Sequence, residues 1–495
     1  MGPRAAEPAA TTRSPEPVPL LEELAALRRE NAALRTENTA LRAETAALQD
    51  RIRELEARLG QTSANSSRPP SSDPPQAPAR PKAPPSGRRR GGQPGHRGAH
   101  RALLPVEQVD DVVVVVPAVC RHCGQRFSET AARGRGRAWR HQVVELLPLA
   151  ARVIEYQMLA RRCPACAKRT RADLPSGVPR RPFGPRLTAV IALLSGRYRL
   201  SRREVRQLLQ ELWQVRVSLG AVVRQEQAQS AALAPVVEEA RAAVQQAAVV
   251  NMDETGWRQD QRRAWLWTAV TGELTVFRIA RSRGGAALEA LLGFEFRGVV
   301  GSDRWSAYSR FPAERRALCW AHLKRAFQGL VDRGGDAEPI GRWGLAEIGR
   351  LFALWHGFRT GEFDRPGLQR QLIPLQARMG RLLRRGEENS DHKAAALCRE
   401  MRKWWAALWT FARVEGVEPT NNGAERAVRP AVLWRKGSFG SDSEAGSRFA
   451  ERLLTVVATC RQQGRRLLDF LVAASEAVLR SSPLPSLLPA PHPGG

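Results

Sequence analysis

Leucine recurs every seventh residue at Leu20, Leu27, Leu34, Leu41, Leu48 and Leu55, and Leu24, Asn31, Asn38, Thr45, Ile52 and Leu59 make a second row at the same period. Apolar seams kept in step over more than five heptads predict a coiled coil across 20–60. Asn31 and Asn38 fall at a positions of that seam, where a buried amide fixes register and favours two strands. The Pro- and Ala-rich stretch 1–19 that precedes it reads as disordered. The stretch that follows, 61–101, has nine prolines, eight Lys or Arg and one acid, Asp73. Such a segment buries no core and reads as a basic, extended linker. Its Arg88, Arg89 and Arg90 serve equally well as a solvated tether or as a track for phosphates.

Beyond the linker the pattern changes repeatedly. Val112–Val116, Gln142–Leu147 and Arg152–Leu159 are strand-like within a segment 102–181, and 182–247 reads as helical. There Ser201-Arg202-Arg203-Glu204 is a capping box opening a helix to about Trp213. Ser218 then caps a second helix, Leu219–Gln229, carrying Arg224, Gln225 and Gln227. The pair suits a helix-turn-helix whose side chains read base edges, and it suits an ordinary bundle segment nearly as well. From Ala248 the order becomes strand, strand, strand, helix, strand, namely Ala248–Met252, Ala264–Val270, Leu274–Ala280, Gly285–Leu292 and Gly298–Gly301. A helical run from about His322 to Phe411 follows, with Trp343, Trp355, Trp404, Trp405 and Trp409 at intervals that suggest packing. The tail 481–495 reads as disordered. These patterns divide the chain into 1–19, 20–60, 61–101, 102–181, 182–247, 248–327, 328–412, 413–480 and 481–495.

Charge narrows the partners. The 495 residues carry 78 Lys plus Arg against 49 Asp plus Glu, a formal +29, so a polyanion is the expected partner. Codon bias explains why only six of those cations are Lys, but not the surplus over acids. With 43% hydrophobic residues the chain has enough apolar mass for a core. No run reaches the ~18–20 apolar residues of a membrane span, the N-terminus has no signal-like apolar segment, and Ala6 breaks the myristoylation pattern. The expected location is therefore cytoplasmic and DNA-associated, with no membrane partner.

Seven cysteines do not make a disulfide framework, whereas Cys120-Arg121-His122-Cys123 and Cys163-Pro164-Ala165-Cys166 are two C-x-x-C knuckles. Cys120, Cys123, Cys163 and Cys166 together supply the four thiolates of a closed, structural tetrahedral Zn2+ site, which suggests a zinc-ribbon-like β module over 102–181. The 39-residue gap between the knuckles is longer than the usual ~15–20.

Asp253 closes the first strand of the α/β series and Asp303 follows the last. A crossover returning the last strand beside the first brings both carboxylates to one sheet edge, where mutual repulsion calls for cations such as Mg2+. A third acid, Glu425, lies in the first turn of a helix that Asn421 or Asn422 caps. Locally it reads equally as half of a surface pair with Arg429. Pro430 is expected to stop or kink that helix after about two turns.

The stretches Asn65–Asp73 (NSSRPPSSD), Gly92–Gly98 (GQPGHRG), the two knuckles, Met252–Trp257 (MDETGW), Gly301–Tyr308 (GSDRWSAY), Cys319–Phe327 (CWAHLKRAF) and Thr420–Pro430 (TNNGAERAVRP) occur in this order. Together they resemble the DDE transposases of the insertion-sequence-66 family over nearly the whole chain. Thr420 departs from that pattern, since many members have Asp there. The resemblance implies a multidomain α+β protein with a ribonuclease-H-like α/β catalytic domain interrupted by a helical insertion, and Asp253, Asp303 and Glu425 as catalytic ligands of Mg2+ or Mn2+. It implies a bacterial enzyme that binds the terminal inverted repeats of an insertion sequence and target DNA, both double-stranded. Two cations ~3.5–4 Å apart would then assist strand cleavage and strand transfer. A homodimer or higher oligomer, held by the coiled coil, would handle both ends, with accessory element-encoded proteins as further partners. A catalytically inactive DNA-binding regulator derived from such an enzyme is the alternative. Cys319 and His322 resemble a C-x-x-H motif near the second acid of several DDE families, for which a structural or DNA-positioning role is expected.

Overall fold

The computed structural model describes residues 18–59, 102–127 and 139–489. The expectations for 1–17 and for the linker 61–101 fall outside them, while residues 18 and 19, expected to be disordered, begin the first helix. The chain divides into two compact units, one of 1–80, 322–356 and 371–402, the other of 81–321, 357–370 and 403–495. In the first, helix α1 (Val18–Leu59) runs 42 residues without a break. Its Leu27, Leu34, Leu41, Leu48 and Ile52 are all more than half exposed in the single chain.

The second unit begins with the cysteine segment. Strands β1 (Ala160–Arg162) and β2 (Arg169–Arg171) form a short antiparallel hairpin with Cys163 and Cys166 in its turn. Three expected strands are absent here. Val112–Val116, Gln142–Leu147 and Arg152–Leu159 are largely exposed and belong to no ladder among the described residues. Alternating apolar residues make a strand only when another edge accepts their N–H and C=O groups, and these segments meet none.

Helices α2 (Pro185–Ala192), α3 (Arg202–Trp213) and α4 (Leu219–Gln245) follow. The box that opens α3 is complete: Ser201 Oγ accepts the Glu204 N–H at 3.2 Å, and Glu204 Oε2 accepts the Ser201 N–H at 2.7 Å. Ser218 Oγ accepts the Ala221 N–H at 3.2 Å and starts α4. That helix continues sixteen residues past the expected end at Gln229, through Pro235. An internal proline costs about 3 kcal/mol. Burial of Leu233, Val236, Ala240 and Val244 on one face offsets it.

Strands β3 (Val249–Gln259), β4 (Arg262–Val270) and β5 (Thr275–Ala280), helix α5 (Gly285–Leu292), strand β6 (Val299–Ser302) and strand β7 (Arg316–Leu318) build one sheet in the order β5-β4-β3-β6-β7. The first three strands are antiparallel, and β6 and β7 run parallel to β3. Helices α6 (Trp320–Arg333), α7 (Ala337–Arg359), α8 (Arg365–Glu387), α9 (His392–Lys403), α10 (Trp405–Leu408) and α11 (Thr410–Arg413) separate the sheet from α12 (Asn422–Ser438), α13 (Glu444–Gln462) and α14 (Leu467–Arg480). Trp404 and Trp409 are buried, and the Trp320 and Trp409 rings meet at a tilt with centroids 5.3 Å apart, so these rings pack. Among the described residues no helix is long and apolar enough to cross a membrane.

The sheet buries both faces. Val250, Met252 and Trp267 meet Leu233, Leu288 and Leu471 in the larger cluster, while Leu266, Phe277 and Ile279 meet Val428, Ala431 and Leu454 in another. The outer edge of β5 is closed by α13. The N–H groups of Thr275, Phe277 and Ile279 donate to Thr459 Oγ1 (3.1 Å), Thr455 Oγ1 (3.0 Å) and Glu451 Oε2 (2.8 Å). Spacing by two on a strand and by four on a helix cover nearly the same length, so one row of side chains replaces a sixth strand. Residues 481–489 differ from the expected disordered tail: Leu487 is fully buried, and its carbonyl accepts from Gln463 Nε2 at 2.8 Å.

Candidate active site

Asp253 lies within β3 rather than at its end, because the strand continues to a turn at Asp260 and Gln261, both with positive φ. Successive strand residues face opposite ways. Met252 enters the larger core, so Asp253 points to the face that α12 covers. Asn251 and Gly301 are the last partners in the parallel β3–β6 ladder, so Asp253, two residues further along β3, lies beside the end of β6, which Asp303 follows. A Cβ on Gly301 would come within 2.2 Å of Asn251 Oδ1, so a larger residue there would have to displace that side chain.

Each aspartate is oriented by backbone. Asp253 Oδ1 accepts the Glu254 N–H at 3.0 Å, and Asp303 Oδ1 accepts the Trp305 N–H at 2.8 Å. The Asp303 carbonyl also accepts from Arg316 Nη2 at 3.1 Å and from Ser302 Oγ at 2.9 Å.

Glu425 arrives on the first turn of α12. Asn421 is the N-cap, yet its side chain makes no cap hydrogen bond. Nδ2 instead donates to the Met252 carbonyl at 2.5 Å, and the Asn421 N–H donates to Cys319 Sγ at 3.2 Å. The start of α12 is thereby tied to β3 one residue before Asp253. Cys319, one residue past β7, also brings its Sγ within 4.8 Å of a Glu425 oxygen. His322 lies three residues further along, in α6. Contrary to the expected kink, α12 runs through Pro430 to Ser438, with Ala424, Val428 and Ala431 buried against the sheet.

Among the described residues Asp253, Asp303 and Glu425 do not bring three oxygens within 4.8 Å of one another, but the charges of the other two are felt at Asp253. Burial, and then the charges of Glu254, Glu425 and Asp303, push the Asp253 carboxyl up to about 8, against the pull of the Glu254 N–H. A buried acid held protonated by its neighbours is relieved when a cation neutralises the cluster. Hard oxygen donors of this kind suit Mg2+ or Mn2+, so the residues present fit such an ion.

Glu254 was not singled out in the sequence, although it shares the MDETGW stretch with Asp253. Its side chain is 2% exposed, Oε1 accepts from Arg283 Nη2 at 2.8 Å and Oε2 accepts the Tyr308 hydroxyl at 2.7 Å. Burial raises its carboxyl. Glu254 thus anchors the 303–308 segment from the other side of β3, and the co-occurrence of Trp305 and Tyr308 with Asp303 in GSDRWSAY was the available signal. Gln225, by contrast, cannot read bases: it is 4% exposed and its Oε1 accepts the Thr188 hydroxyl at 2.7 Å, while Arg224 and Gln227 are exposed.

The four knuckle cysteines form two local half-sites. The Cys120 and Cys163 N–H groups donate to Gln125 and Lys168 carbonyls at 2.8 Å each, closing the two loops. Backbone N–H groups of His122 and Cys123 lower the Cys120 thiol, and those of Cys166 and Ala165 lower Cys163. Among the described residues no three of the four sulfurs lie within 4.8 Å of one another. Each half presents the soft thiolate donors that zinc takes.

Residues 180–449 match the model of a family described as Transposase IS66 family, and residues 16–102 match a family of unknown function. Two uncharacterized proteins of Sinorhizobium fredii, y4qI and y4hP, are each similar at 27% identity. The first similarity covers 42% of this chain and 42% of that protein, the second 29% of each. The chain thus spans less than half the length of either relative.

Proposed function

The chain belongs to the transposase IS66 family, and from that premise we propose that it cuts and rejoins DNA strands at a centre made by Asp253, Asp303 and Glu425. The terminal inverted repeats of an insertion sequence are its substrate and a target duplex its acceptor. The observation that carries this reading is the placement of the acids: Asp253 lies in β3 beside the end of β6, which Asp303 follows, and Asn421 ties the start of the Glu425 helix to β3 one residue before Asp253. The sheet order, three antiparallel strands followed by two parallel ones, supports a ribonuclease-H-like domain.

In this mechanism the three carboxylates are ligands and not nucleophiles. Bound Mg2+ or Mn2+ would supply Lewis acidity to the attacking oxygen and to the leaving 3′ oxygen. Asp253 releases its proton as the site loads, Asp303 is kept in place by the Trp305 N–H, and Glu425 is carried on a helix fixed by Asn421. Water attacks first, the freed 3′ hydroxyl attacks second, and no covalent enzyme intermediate forms. The exposed leucine row of α1 is read as the seam of a dimer that brings two element ends together. The two cysteine half-sites are read as closing on one Zn2+. Accessory proteins encoded by the element remain part of this reading.

Strand cleavage and joining of a labelled element end in Mg2+ tests it. Asp253→Ala, Asp303→Ala and Glu425→Ala should each abolish both steps. Wild-type activity in all three would mean that the chemistry lies elsewhere.

A further inference from the structure

A hollow of about 830 Å3 begins at Gly256, three residues along β3 from Asp253, which is about 10 Å at the rise of a strand. Its lining includes four cations, Arg258, Arg263, Arg435 and Lys436, three aromatic residues, Trp257, Trp265 and Phe439, and no acid. Among the described residues none of the four cations forms an ion pair. Arg435 lies against the strand where side chains are absent: a Cβ on Gly256 would stand 3.4 Å from its Nη1, and its Nε is buried with no hydrogen-bond partner.

The rings are placed as platforms. The Arg263 guanidinium lies 5.1 Å from the Trp265 ring and that of Arg283 4.6 Å from it. Arg283 also lies 3.8 Å from the ring of Trp305, two residues past Asp303. Alternating rings and guanidiniums thus lead from the Asp303 loop to the hollow. Phe439 is 73% exposed, yet its backbone is held in the left-handed region at φ 60 by an N–H bond to the Arg435 carbonyl at 2.8 Å. The next residues pin it further. Gly440 has φ 120 and passes so close to β3 that a Cβ would meet the Arg258 carbonyl at 2.2 Å. The Ser441 N–H donates to that carbonyl at 2.9 Å. A large ring exposed on a fixed support, among cations that lack counter-ions, matches what single nucleic-acid strands require: phosphates on the cations and a base on the ring.

We propose that this groove binds an unpaired DNA strand next to the carboxylate centre, with one base stacked on Phe439 and the backbone held by Arg263, Arg435 and Lys436. The proposal rests on the reading that DNA is cut at the three acids, and its test separates the two. Full-length protein carrying Asp253→Ala, so that nothing is cut, is titrated with a blunt duplex and with the same duplex ending in a six-nucleotide unpaired strand bearing 2-aminopurine. The unpaired end should bind more tightly and its fluorescence should fall. Phe439→Ala should weaken binding of the unpaired end about tenfold, leave the blunt duplex unchanged and abolish the fluorescence change; Phe439→Trp should restore all of it. Arg263→Gln with Lys436→Gln should lower the slope of log affinity against log salt by about 2 for the unpaired end. These three side chains are exposed, so thermal melts should match the parent. Equal binding of the two DNAs by the parent, or no effect of Phe439→Ala and of the paired substitution, would overturn the groove. Cutting by the Asp253→Ala parent would instead refute the catalytic assignment, while the binding comparison still judges the groove.

Discussion

Asp253→Asn should make the Mg-free protein more stable while abolishing its chemistry. The substitution keeps shape and keeps an Oδ1 able to accept the Glu254 N–H, now at 3.0 Å. What it removes is the titration. The native carboxyl is pushed up to about 8 from 3.8, by burial first and then by Glu254, Glu425 and Asp303. Between those two values the unfolded chain is ionised and the native chain holds the proton. The native state therefore binds more protons, and the stability contributed by this group falls as pH rises, by about 1.4 kcal/mol per pH unit. At pH 7 the wild-type protein carries a penalty of about 4 kcal/mol that the amide does not. Urea unfolding, followed by fluorescence of the buried sheet residues Trp257 and Trp267, measures it in Mg-free buffer from pH 5 to 8. The variant should exceed wild type most at pH 8, and the gap should close towards pH 4. Added Mg2+ should stabilise wild type more at pH 8 than at pH 5 and leave the variant nearly unmoved. Equal stabilities at pH 7, or a gap that does not shrink on acidification, would refute the crowding of the acids around Asp253.

Cysteine chemistry should divide by environment. At pH 8 iodoacetamide should label the zinc-free chain at Cys120 and Cys163, whose thiols backbone N–H groups lower, and spare Cys398 and Cys460, which burial raises to about 12 and about 11. Zinc should protect the first pair; labelling unaffected by zinc, or well under one zinc per chain, would dismiss the site. Leu34→Asp, at a position 56% exposed in the single chain, should convert the dimer to monomer by light scattering without altering the melt of the catalytic unit. An unchanged mass would reject α1 as the seam. Asn421→Ala removes the bond to the Met252 carbonyl and should cost about 1–3 kcal/mol, while lowering cleavage far more than DNA affinity. A parallel loss of affinity would argue that Asn421 does not act through Glu425.

The legible part of the site was the part written in a local period. The expectation that a crossover returns the last strand of the series beside the first holds: β6 lies beside and parallel to β3. The signals that misled were local too. Gln225 lies on an exposed-looking helix start, but packing of α4 against α2 turns it inward to Thr188. Alternation in Gln142–Leu147 looked like a strand, although no neighbouring segment offers an edge. Pro430 looked like a kink, and burial of Ala424, Val428 and Ala431 on one face of that helix outweighs the lost hydrogen bond. Glu254 was invisible for a different reason, because its role depends on Arg283 and Tyr308, 29 and 54 residues away in the chain.

Glu425 poses the harder physical problem, since a long helical excursion separates it from β7. A chain that leaves a sheet and returns after so many residues has no local reason to return in register. Two backbone hydrogen bonds and one side chain supply that reason. The Trp320 N–H, at the exit, donates to the Pro419 carbonyl at 2.9 Å, at the re-entry. Two residues later the Asn421 N–H donates to Cys319 Sγ, and its side chain crosses to the Met252 carbonyl. Exit and re-entry are thus fastened to each other and to β3 immediately before Asp253. Helices α6 to α9 can then vary in length without moving the third carboxylate relative to the first two. Shortening the excursion while keeping Cys319 and Asn421 should preserve the geometry of Glu425, whereas breaking either tie should lose it with the excursion intact.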